Sequence, residues 1–329
     1  MNITSSPAPY ASAVEPLLYT LEGLDPDVVT TVEIIKTDNG ATLGTLRLKG
    51  LAKRSIDIAP YLRRHFVLDP VTNSATYPIG HTDSIINCHI RIGDIESQNL
   101  PATLAAPHNS PLAPDELLSD KPLNRTLAAG ESDDLRVISE DGTITASILL
   151  HDTNGGVTPY TISSEEREQM VGMVIDFDSL QARISAPLKR IEVTLSTSAK
   201  QVATIHYDIV ERGVASHRVA WFNSLGACDL HTFEGCGGRK VSIERSRIAG
   251  SADPLTLRRT TITLDSGIMP RGALDALLSL LASPAVWLVV GKRLRQVEVT
   301  TTDYSSQLAG RPDRLVVQLS YAETISRTV

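Results

Sequence analysis

The sequence is poor in cysteine and in aromatic residues. Its 329 residues include 14 aromatic ones and only three cysteines, Cys88, Cys228 and Cys236. An odd number of cysteines cannot form a fully paired disulfide framework, and so few suit a reducing compartment or buried thiols better than a small secreted domain. The N-terminus also lacks a basic segment followed by an apolar one, so we expect no secretory signal peptide.

Long apolar runs are lacking as well. The most apolar stretch, residues 277–290, is interrupted by Ser283 and Pro284, and it is shorter than the roughly 20 residues that a helix needs to cross a bilayer. A hydrophobic fraction of 42% with 21% charged residues is typical of a globular chain. We therefore expect a soluble protein without a membrane partner.

Positive charge is in deficit. The chain has 31 Lys and Arg residues against 38 Asp and Glu residues, which gives a formal net charge of −7. General nucleic-acid binding needs a basic face, so we expect no nucleic-acid partner. Short basic pairs such as Arg63-Arg64 and Arg258-Arg259 are interpreted as solvated strand ends.

The established catalytic motifs are missing too. There is no nucleophile elbow GxSxG, no zinc-protease HExxH, no phosphate-binding Walker loop and no dinucleotide-binding GxGxxG after a strand. The eight histidines are scattered along the chain. The sequence therefore predicts no catalytic residues, no bound cofactor and no enzymatic activity.

One group of side chains has the chemistry of a zinc site. Thiolate and imidazole ligands suit zinc, and Cys228, His231 and Cys236 lie close together in the sequence. A fourth ligand would have to be Asp229 or His217, because no second Cys-x2-Cys or His-x3-His pair follows. Two small buried thiols beside a surface histidine explain the same residues, so we predict no metal ligands.

Two Asp-x-Asp pairs are candidates for calcium binding or for acid–base chemistry. Asp25 and Asp27, and likewise Asp176 and Asp178, would each lie on one face of a strand and could share a ligand. The further oxygen ligands that calcium needs are missing around both pairs. Asp-x-Asp is common in turns, and turn formation is the simpler interpretation.

Alternation of apolar and polar residues dominates the chain. It is clearest at residues 144–150 and recurs at 191–195 and 203–209. Near the N-terminus, Asn39-Gly40 lies between two such runs and predicts a β-hairpin. Period-two runs separated by turns are typical of half-buried antiparallel strands. The sequence thus predicts a mainly β fold of two or three β-sandwich-like domains.

Two segments have features of helices. Residues 163–174 begin with serines that suit an N-cap, followed by acidic residues that suit a first turn. Farther along, Pro270 precedes leucines at 274, 277, 278 and 281, which have the spacing i, i+3, i+4, i+7 of one helix face. The second pattern predicts that a single helix covers the strands of the C-terminal module.

Composition divides the chain into five stretches. Residues 1–14 are rich in Ser, Ala and Pro, which predicts a flexible or partner-bound arm. Residues 101–134 contain five of the 18 prolines and little periodicity, which predicts a linker or an extended connection. We expect an N-terminal β domain at 15–100, a middle β-sandwich at 135–213 and a C-terminal β module with one helix at 214–329.

The segment 219–235 concentrates unusual residues. Trp221, Phe222 and Phe233 are three of the 14 aromatic residues, and they surround Asn223 and Gly226. Asn and Gly both tolerate a left-handed backbone. The segment therefore predicts a buried strand, a tight turn and a second strand, and a hairpin with aromatic anchors explains each of these residues as part of a structural signature.

The same segment resembles a motif, W/F-L/F-N-x-x-G-x-x-D/E-x-x-x-F, of phage-like structural proteins encoded by phages and prophages of Bacteroidetes. Residues 283–288, which add Trp287 to the signature, resemble the SPxVW/YL segment of those proteins. Residues 55–62 are similar to their D-V-S-x-Y-L element, and residues 315–323 to their terminal apolar strand. The resemblance implies a virion or tail component that acts through packing contacts.

We therefore expect a structural subunit of a phage or phage-like particle, in its tail, neck or baseplate. Such a subunit would assemble in the bacterial cytoplasm, form a homo-oligomer and contact other virion proteins. A cell-surface adhesin or carbohydrate-binding β-sandwich protein is the alternative, and an exposed aromatic groove would be evidence for it. An enzyme on a β scaffold would instead need carboxylates or histidines that converge in a pocket.

Overall fold

The computed structural model describes residues 1–66, 85–105, 112–139, 143–165, 170–247, 254–291, 293–304 and 313–325. Within these residues the chain forms many strands and three short helices. Buried apolar side chains form three large clusters, one in each successive third of the chain. The prediction of a mainly β, sandwich-like protein is confirmed.

The N-terminal third contains two sheets around the first core. Its elements are β1 (Asn2–Ser5), β2 (Leu18–Glu22), β3 (Thr30–Lys36), β4 (Thr42–Leu48), β5 (Lys53–Asp57), α1 (Ala59–Arg63), β6 (Ile85–Ile92), β7 (Ile95–Glu96) and β8 (Leu100–Thr103). One sheet has the order β1-β2-β5, and the other has the order β4-β3-β6-β7 with β8 paired to β6. Gly40, at φ +70°, lies in the turn of the predicted β3–β4 hairpin.

Residues 1–14 are packed more closely than their composition predicts. Strand β1 pairs with β2, and the side chains of Tyr10 and Ala13 are buried. The N–H groups of these two residues donate to the carbonyl oxygens of Pro101 and Thr103, at 2.7 and 2.8 Å. The segment is therefore part of the edge of the N-terminal fold and is not a free arm. Its strand β1 is paired, and the side chains of Tyr10 and Ala13 pack in apolar clusters.

The middle third is a sandwich of two sheets. Its elements are β9 (Asn124–Leu127), β10 (Ser132–Ile138), β11 (Thr143–Asp152), β12 (Val157–Glu165), β13 (Met170–Asp176), α2 (Phe177–Gln181), β14 (Leu188–Ser196) and β15 (Gln201–Ile209). The larger sheet has the order β12-β11-β14-β15-β9, and β10 pairs with β13 in the smaller one. Apolar side chains from both sheets form the second core, as the alternating runs predict.

The Pro-rich stretch 101–134 takes part in this sandwich. It contains β9 and the start of β10, and β9 pairs in parallel with β15. The N–H of Leu118 also donates to the carbonyl of Arg136 at 2.8 Å. The interpretation as a linker missed these strands, because one is short and the other begins with buried charged residues. The domain boundaries stay predictions.

The helix predicted at residues 163–174 is wrong. The structure places the end of β12 and most of β13 there. Met170, Val171, Met173 and Val174 are all buried, on both faces of β13. A strand that is covered on both faces shows no alternation, so it can be mistaken for part of a helix.

The C-terminal third is built on one sheet of seven strands. Its elements are β16 (His217–Phe222), β17 (Cys228–Phe233), β18 (Gly235–Arg247), β19 (Pro254–Asp265), α3 (Arg271–Ala282), β20 (Val286–Val290), β21 (Arg293–Val299) and β22 (Val316–Ile325). The strand order is β17-β16-β20-β21-β22-β19-β18. The β18–β19 hairpin is the longest in this sheet, and β18 forms its outer edge.

Helix α3 covers one face of this sheet, as the leucine stripe predicts. Pro270 is its N-cap and Ser283 its C-cap. Leu274, Leu277 and Leu280 are buried in the third core together with side chains of β16, β19 and β22. No helix in the described part of the chain is long and apolar enough to cross a membrane.

Replacing Leu277 by Ala is expected to lower the free energy of unfolding by about 2–5 kcal/mol, because it leaves a cavity between α3 and the sheet. Urea unfolding followed by tryptophan fluorescence measures this change. Asp275→Ala, on the exposed side of the same helix, is the matched control and should shift stability by less than about 0.5 kcal/mol. Equal effects of the two variants would contradict the packing of α3 on this core.

Candidate functional site

Asn223 fixes the turn between β16 and β17. Its Oδ1 accepts hydrogen bonds from the N–H groups of Leu225 and Ala227, each at 3.0 Å. Its Nδ2 donates to the carbonyl of Leu118 at 3.0 Å and to the carboxylate of Asp229 at 2.8 Å. All four hydrogen-bonding positions of this buried amide are therefore used, and the turn is tied to the stretch that precedes β9.

Gly226 is required by its backbone conformation and by a close neighbour. Its φ of +76° lies in the left-handed region, which favours glycine. A Cβ at this position would lie 3.0 Å from the backbone nitrogen of Ala105, which follows β8. The turn is thus pressed against a segment of the N-terminal third, and a larger residue would separate them.

The four aromatic residues of the signature are packing residues. Trp221 and Phe233 are buried in the third core, and Trp221 Nε1 donates to Ser279 Oγ of α3 at 2.9 Å. Phe222 and Trp287 belong to a small cluster on the other side of the sheet. Their rings meet edge to face with centroids 5.8 Å apart. These contacts place the four rings in apolar clusters on the two sides of the sheet.

The three candidate zinc ligands do not converge. Cys228 and His231 are three positions apart on β17, so their side chains point to opposite faces of the strand. Burial raises the pKa of Cys228 well above its usual value, which keeps the thiol protonated. Cys236 lies on β18, where its thiol contacts the carbonyl of Gly238. Within the described ranges, no three His, Cys, Asp or Glu side chains are grouped closely enough to hold a metal ion.

Both Asp-x-Asp pairs serve the local backbone. Asp25 accepts a hydrogen bond from the N–H of Asp27 at 2.9 Å, which closes a turn. Asp176 is the N-cap of α2 and accepts from the N–H and the hydroxyl of Ser179. Asp178 accepts from the N–H of Gly130 at 3.1 Å. Turn formation and helix capping therefore account for these carboxylates.

The structure contains a buried ionic cluster that is absent from the sequence-based expectations, formed by Lys121, Arg125, Glu131, Asp133, Arg212 and Arg218. At its centre the carboxylate of Asp133 is 1% exposed. It accepts hydrogen bonds from Lys121 at 2.9 Å, from Arg125 at 2.7 Å and from the hydroxyl of Tyr207 at 3.0 Å. These donors join the segment before β9 (Lys121), β9 itself (Arg125) and β15 (Tyr207) to β10.

The second acid of the ionic cluster joins the middle and C-terminal thirds. Glu131 accepts from Arg212 at 3.2 Å and from Thr232 of β17 at 2.6 Å. It also pairs with Arg218 of β16 at 3.3 Å, and Arg218 donates in addition to the carbonyl of Ser132. The start of β10 is therefore fixed to the β16–β17 hairpin by charge-assisted hydrogen bonds.

Two further carboxylates extend this junction. Asp229, buried on β17, accepts from Ser119 Oγ at 2.6 Å in addition to Asn223. Asp120 accepts from the N–H and the hydroxyl of Ser224, at 3.1 and 2.9 Å. Residues 118–121 thus run along the β16–β17 turn and are tied to it at several points.

Burial and charge pairing oppose each other in the ionic cluster. Burial alone would raise the pKa of Asp133, but Lys121, Arg125 and Arg218 outweigh it and hold this pKa well below its usual value. Burial lowers the pKa of Lys121 to about 8 in spite of the attraction of Asp133. The negative charge of Asp133 is compensated by these cations, so removing the carboxylate of Asp133 would leave buried cations without their acidic partner.

One signal in the sequence could have revealed the ionic cluster. Asp133, Asp134 and Arg136 interrupt an otherwise apolar strand, and charged residues are almost never fully buried unless they are paired. Arg136 and Asp134 indeed pair with each other at 2.8 Å. The partners of Asp133 lie in other segments, and the sequence does not indicate them.

A pocket of about 300 Å³ opens beside the ionic cluster. Its cations already have partners, since Lys121 and Arg125 bind Asp133 and Arg212 binds Glu131. Burial lowers the pKa of His231 to about 3, so its imidazole is neutral. The pocket therefore offers paired charges and a neutral ring, which gives no reason to assign a reaction or a charged ligand to it.

Strand β18 is the exposed edge of the seven-stranded sheet. Among the described strands it pairs only with β19. Val241 and Ile243 lie on one face of it and are 43% and 56% exposed. The unpaired N–H and C=O groups of such an edge can pair with another chain. The sequence does not indicate this strand clearly, because its glycines and charged residues interrupt the alternation of apolar and polar residues that is typical of a strand.

No protein-family model matches the chain, and a search of curated proteins also finds no match.

Replacing Asn223 by Ala is expected to destabilise the protein by about 2–4 kcal/mol. The change removes one hydrogen-bond donor from the buried carboxylate of Asp229, which keeps Ser119, and leaves the N–H groups of Leu225 and Ala227 without their side-chain acceptor; each buried group left unsatisfied costs about 1–3 kcal/mol. Urea unfolding measures the difference. Asn154→Ala, in the exposed β11–β12 turn, is the control and should have little effect; a similarly small loss for Asn223→Ala would refute the role assigned to Asn223.

The lowered pKa of His231 predicts a pH dependence of stability. An unfolded histidine binds a proton below about pH 6.5, whereas the folded pKa is about 3. Between these values the unfolded state binds more protons, so stability falls as the pH falls, by up to ~1.4 kcal/mol per pH unit. Urea unfolding at neutral and at mildly acidic pH measures the change in the free energy of unfolding per pH unit. We expect His231→Gln to reduce this change.

His65→Gln is the control for this pH experiment, because His65 is exposed. It should keep the slope of the original protein. A slope that is the same in all three proteins would show that His231 is accessible to protons in the folded state.

Proposed function

We propose that the protein is a structural subunit of a phage or phage-like particle, in its tail, neck or baseplate, and that it acts through contacts between subunits. The observation that carries this proposal is the edge strand β18, which is long, paired on one side and apolar on part of its surface. An isolated protein gains nothing from such an edge and risks aggregation through it. The edge therefore favours a partner that covers it.

The ionic cluster supports a structural role. It binds β10, the segment before β9 and the β16–β17 hairpin to one another, so that the middle and C-terminal thirds form a firmly joined unit. A subunit of a particle needs a stiff scaffold that presents its contact surfaces. An enzyme needs reactive groups that a substrate can reach, whereas these charges are engaged with each other. We therefore propose a non-enzymatic protein without a cofactor.

The resemblance of segments 219–235 and 283–288 to phage-like structural proteins supports the class of particle. On this basis we propose a homo-oligomer that assembles in the bacterial cytoplasm and contacts other virion proteins, without nucleic-acid or membrane contacts. Trp221 and Trp287 are buried and form no exposed groove, which leaves the adhesin or carbohydrate-binding alternative with less support.

Sedimentation velocity and negative-stain imaging of the full chain test this proposal. With rising concentration we expect a discrete multimer, seen as rings or short tubes of constant diameter. A protein that stays monomeric at every concentration would contradict the proposal. Binding of such a monomer to a glycan array would favour the adhesin alternative.

A further inference from the structure

The distal part of the β18–β19 hairpin carries a partly exposed face, which we name the arm face. It consists of Arg239, Val241 and Ile243 of β18 with Arg258 and Thr260 of β19. Val241 lies directly opposite Thr260, and Ile243 opposite Arg258, so all of these side chains are on the same side of the sheet.

On β19, the arm face follows directly on residues of the third core. On the same side of β19, Leu264 and Ile262 are buried in that core. At the next position outward the hydroxyl of Thr260 is buried, and after it the Nε of Arg258, and neither has a hydrogen-bond partner among the described residues. Val241 is exposed beside them. Thr260 is covered, with Tyr321 of β22 directly opposite it, so the exposed apolar surface of the arm face is that of Val241 and Ile243 on β18.

The β18–β19 hairpin as a whole, residues 235–265, is named the arm, and its net charge differs in sign from that of the rest of the protein. Residues 235–265 contain six basic and three acidic residues, a net charge of +3. The whole chain has a net charge of −7, so the remainder carries −10. Two arms would repel each other, whereas an arm and the body of another copy would attract each other.

An exposed loop in the N-terminal third has the complementary composition. Residues 25–29, between β2 and β3, are all exposed and are named the acidic loop. They contain Asp25 and Asp27 together with Val28 and Val29, which are 55% and 53% exposed. Leu51, 53% exposed, lies nearby, because the neighbouring Gly50 donates its N–H to the carbonyl of Pro26.

Two lysines lie near the acidic loop. Lys49 and Lys53 flank Leu51 in the sequence. Lys53 is paired with Glu22 and so does not neutralise Asp25 or Asp27. The acidic loop therefore offers two carboxylates beside an apolar surface, and the arm face offers two guanidinium groups beside another.

We propose that the arm face of one copy docks on the acidic loop of a second copy. This inference rests on the proposed function and names the two surfaces through which the subunits join. Because the surfaces differ, the contact is head to tail, and its repetition produces a ring or an open tube. Val241 and Ile243 would be covered by Val28 and Val29, while Asp25 and Asp27 would meet Arg239 and Arg258.

Charge exchange tests this contact. Arg239→Glu/Arg258→Glu reverses the charge of the arm face, and Asp25→Lys/Asp27→Lys reverses that of the acidic loop. Each double variant should need at least a tenfold higher concentration to assemble, as measured by sedimentation velocity. The chain that carries all four changes should regain assembly, because the charges are again opposite.

Lys240→Glu/Arg259→Glu is the matched control. These residues lie on the same two strands, one position away, and point to the opposite face. This variant changes the net charge by the same amount and should assemble normally. Thermal melting of every variant checks its fold. If lysine at position 25 unfolds the loop, Asp25→Asn/Asp27→Asn keeps an oxygen that can accept from the N–H of residue 27, and it should still weaken assembly.

The outcomes separate this inference from the proposed function. A monomeric original protein would contradict the proposed function itself. If the protein assembles but the arm and loop variants assemble like the control, the particle uses other surfaces and the inference is overturned. If the arm variant alone loses assembly, or the fourfold variant fails to regain it although it is folded, the arm docks elsewhere and the inference is again overturned.

Discussion

The buried carboxylate of Asp133 is the constraint on which the arrangement of the modules depends. Removing an ionised carboxylate from water costs several kcal/mol, even after relaxation of the protein. The fold offsets this cost by bringing Lys121, Arg125 and Tyr207 to the same two oxygen atoms. Two of these donors lie in the Pro-rich stretch before β10. That stretch has a fixed path because its cations must reach one acid in a strand of the sandwich.

The same requirement determines how the middle third meets the C-terminal third. Glu131 takes two of its partners, Arg218 and Thr232, from the β16–β17 hairpin, and Asp229 of β17 accepts a hydrogen bond from Ser119, which precedes β9. Apolar contacts tolerate small shifts, whereas a buried polar network is costly when it is only partly satisfied. The network therefore fixes the β16–β17 hairpin against β10. Since β16 and β19 belong to one continuous sheet, it also fixes the direction in which the β18–β19 hairpin projects.

The features that could be predicted from the sequence are those with a local signal. The Asn39-Gly40 hairpin and the leucine stripe of α3 each depend on a few neighbouring residues, and both are found in the structure. The sequence of strand β13 resembles part of a helix because both of its faces are apolar: Val171 and Met173 lie in the second core, whereas Met170 lies in a separate cluster with Leu118 and Ile138. The hydrogen bond from Ser119 to Asp229 joins residues 110 positions apart, and no pattern within one segment encodes such a contact.

Two buried polar groups of the arm differ from those of the ionic cluster, because they have no hydrogen-bond partner among the described residues. Where the chain buries charge, it supplies partners from several segments, yet the hydroxyl of Thr260 and the Nε of Arg258 lack them within the described residues. They lie directly opposite the exposed Val241 and Ile243 of β18. The basic charge of the arm opposes contact between two arms, which would otherwise pair through their open edges. That charge is balanced only against an acidic surface, and the body of another copy provides one. Repulsion between arms and attraction to the body thus favour the same head-to-tail contact.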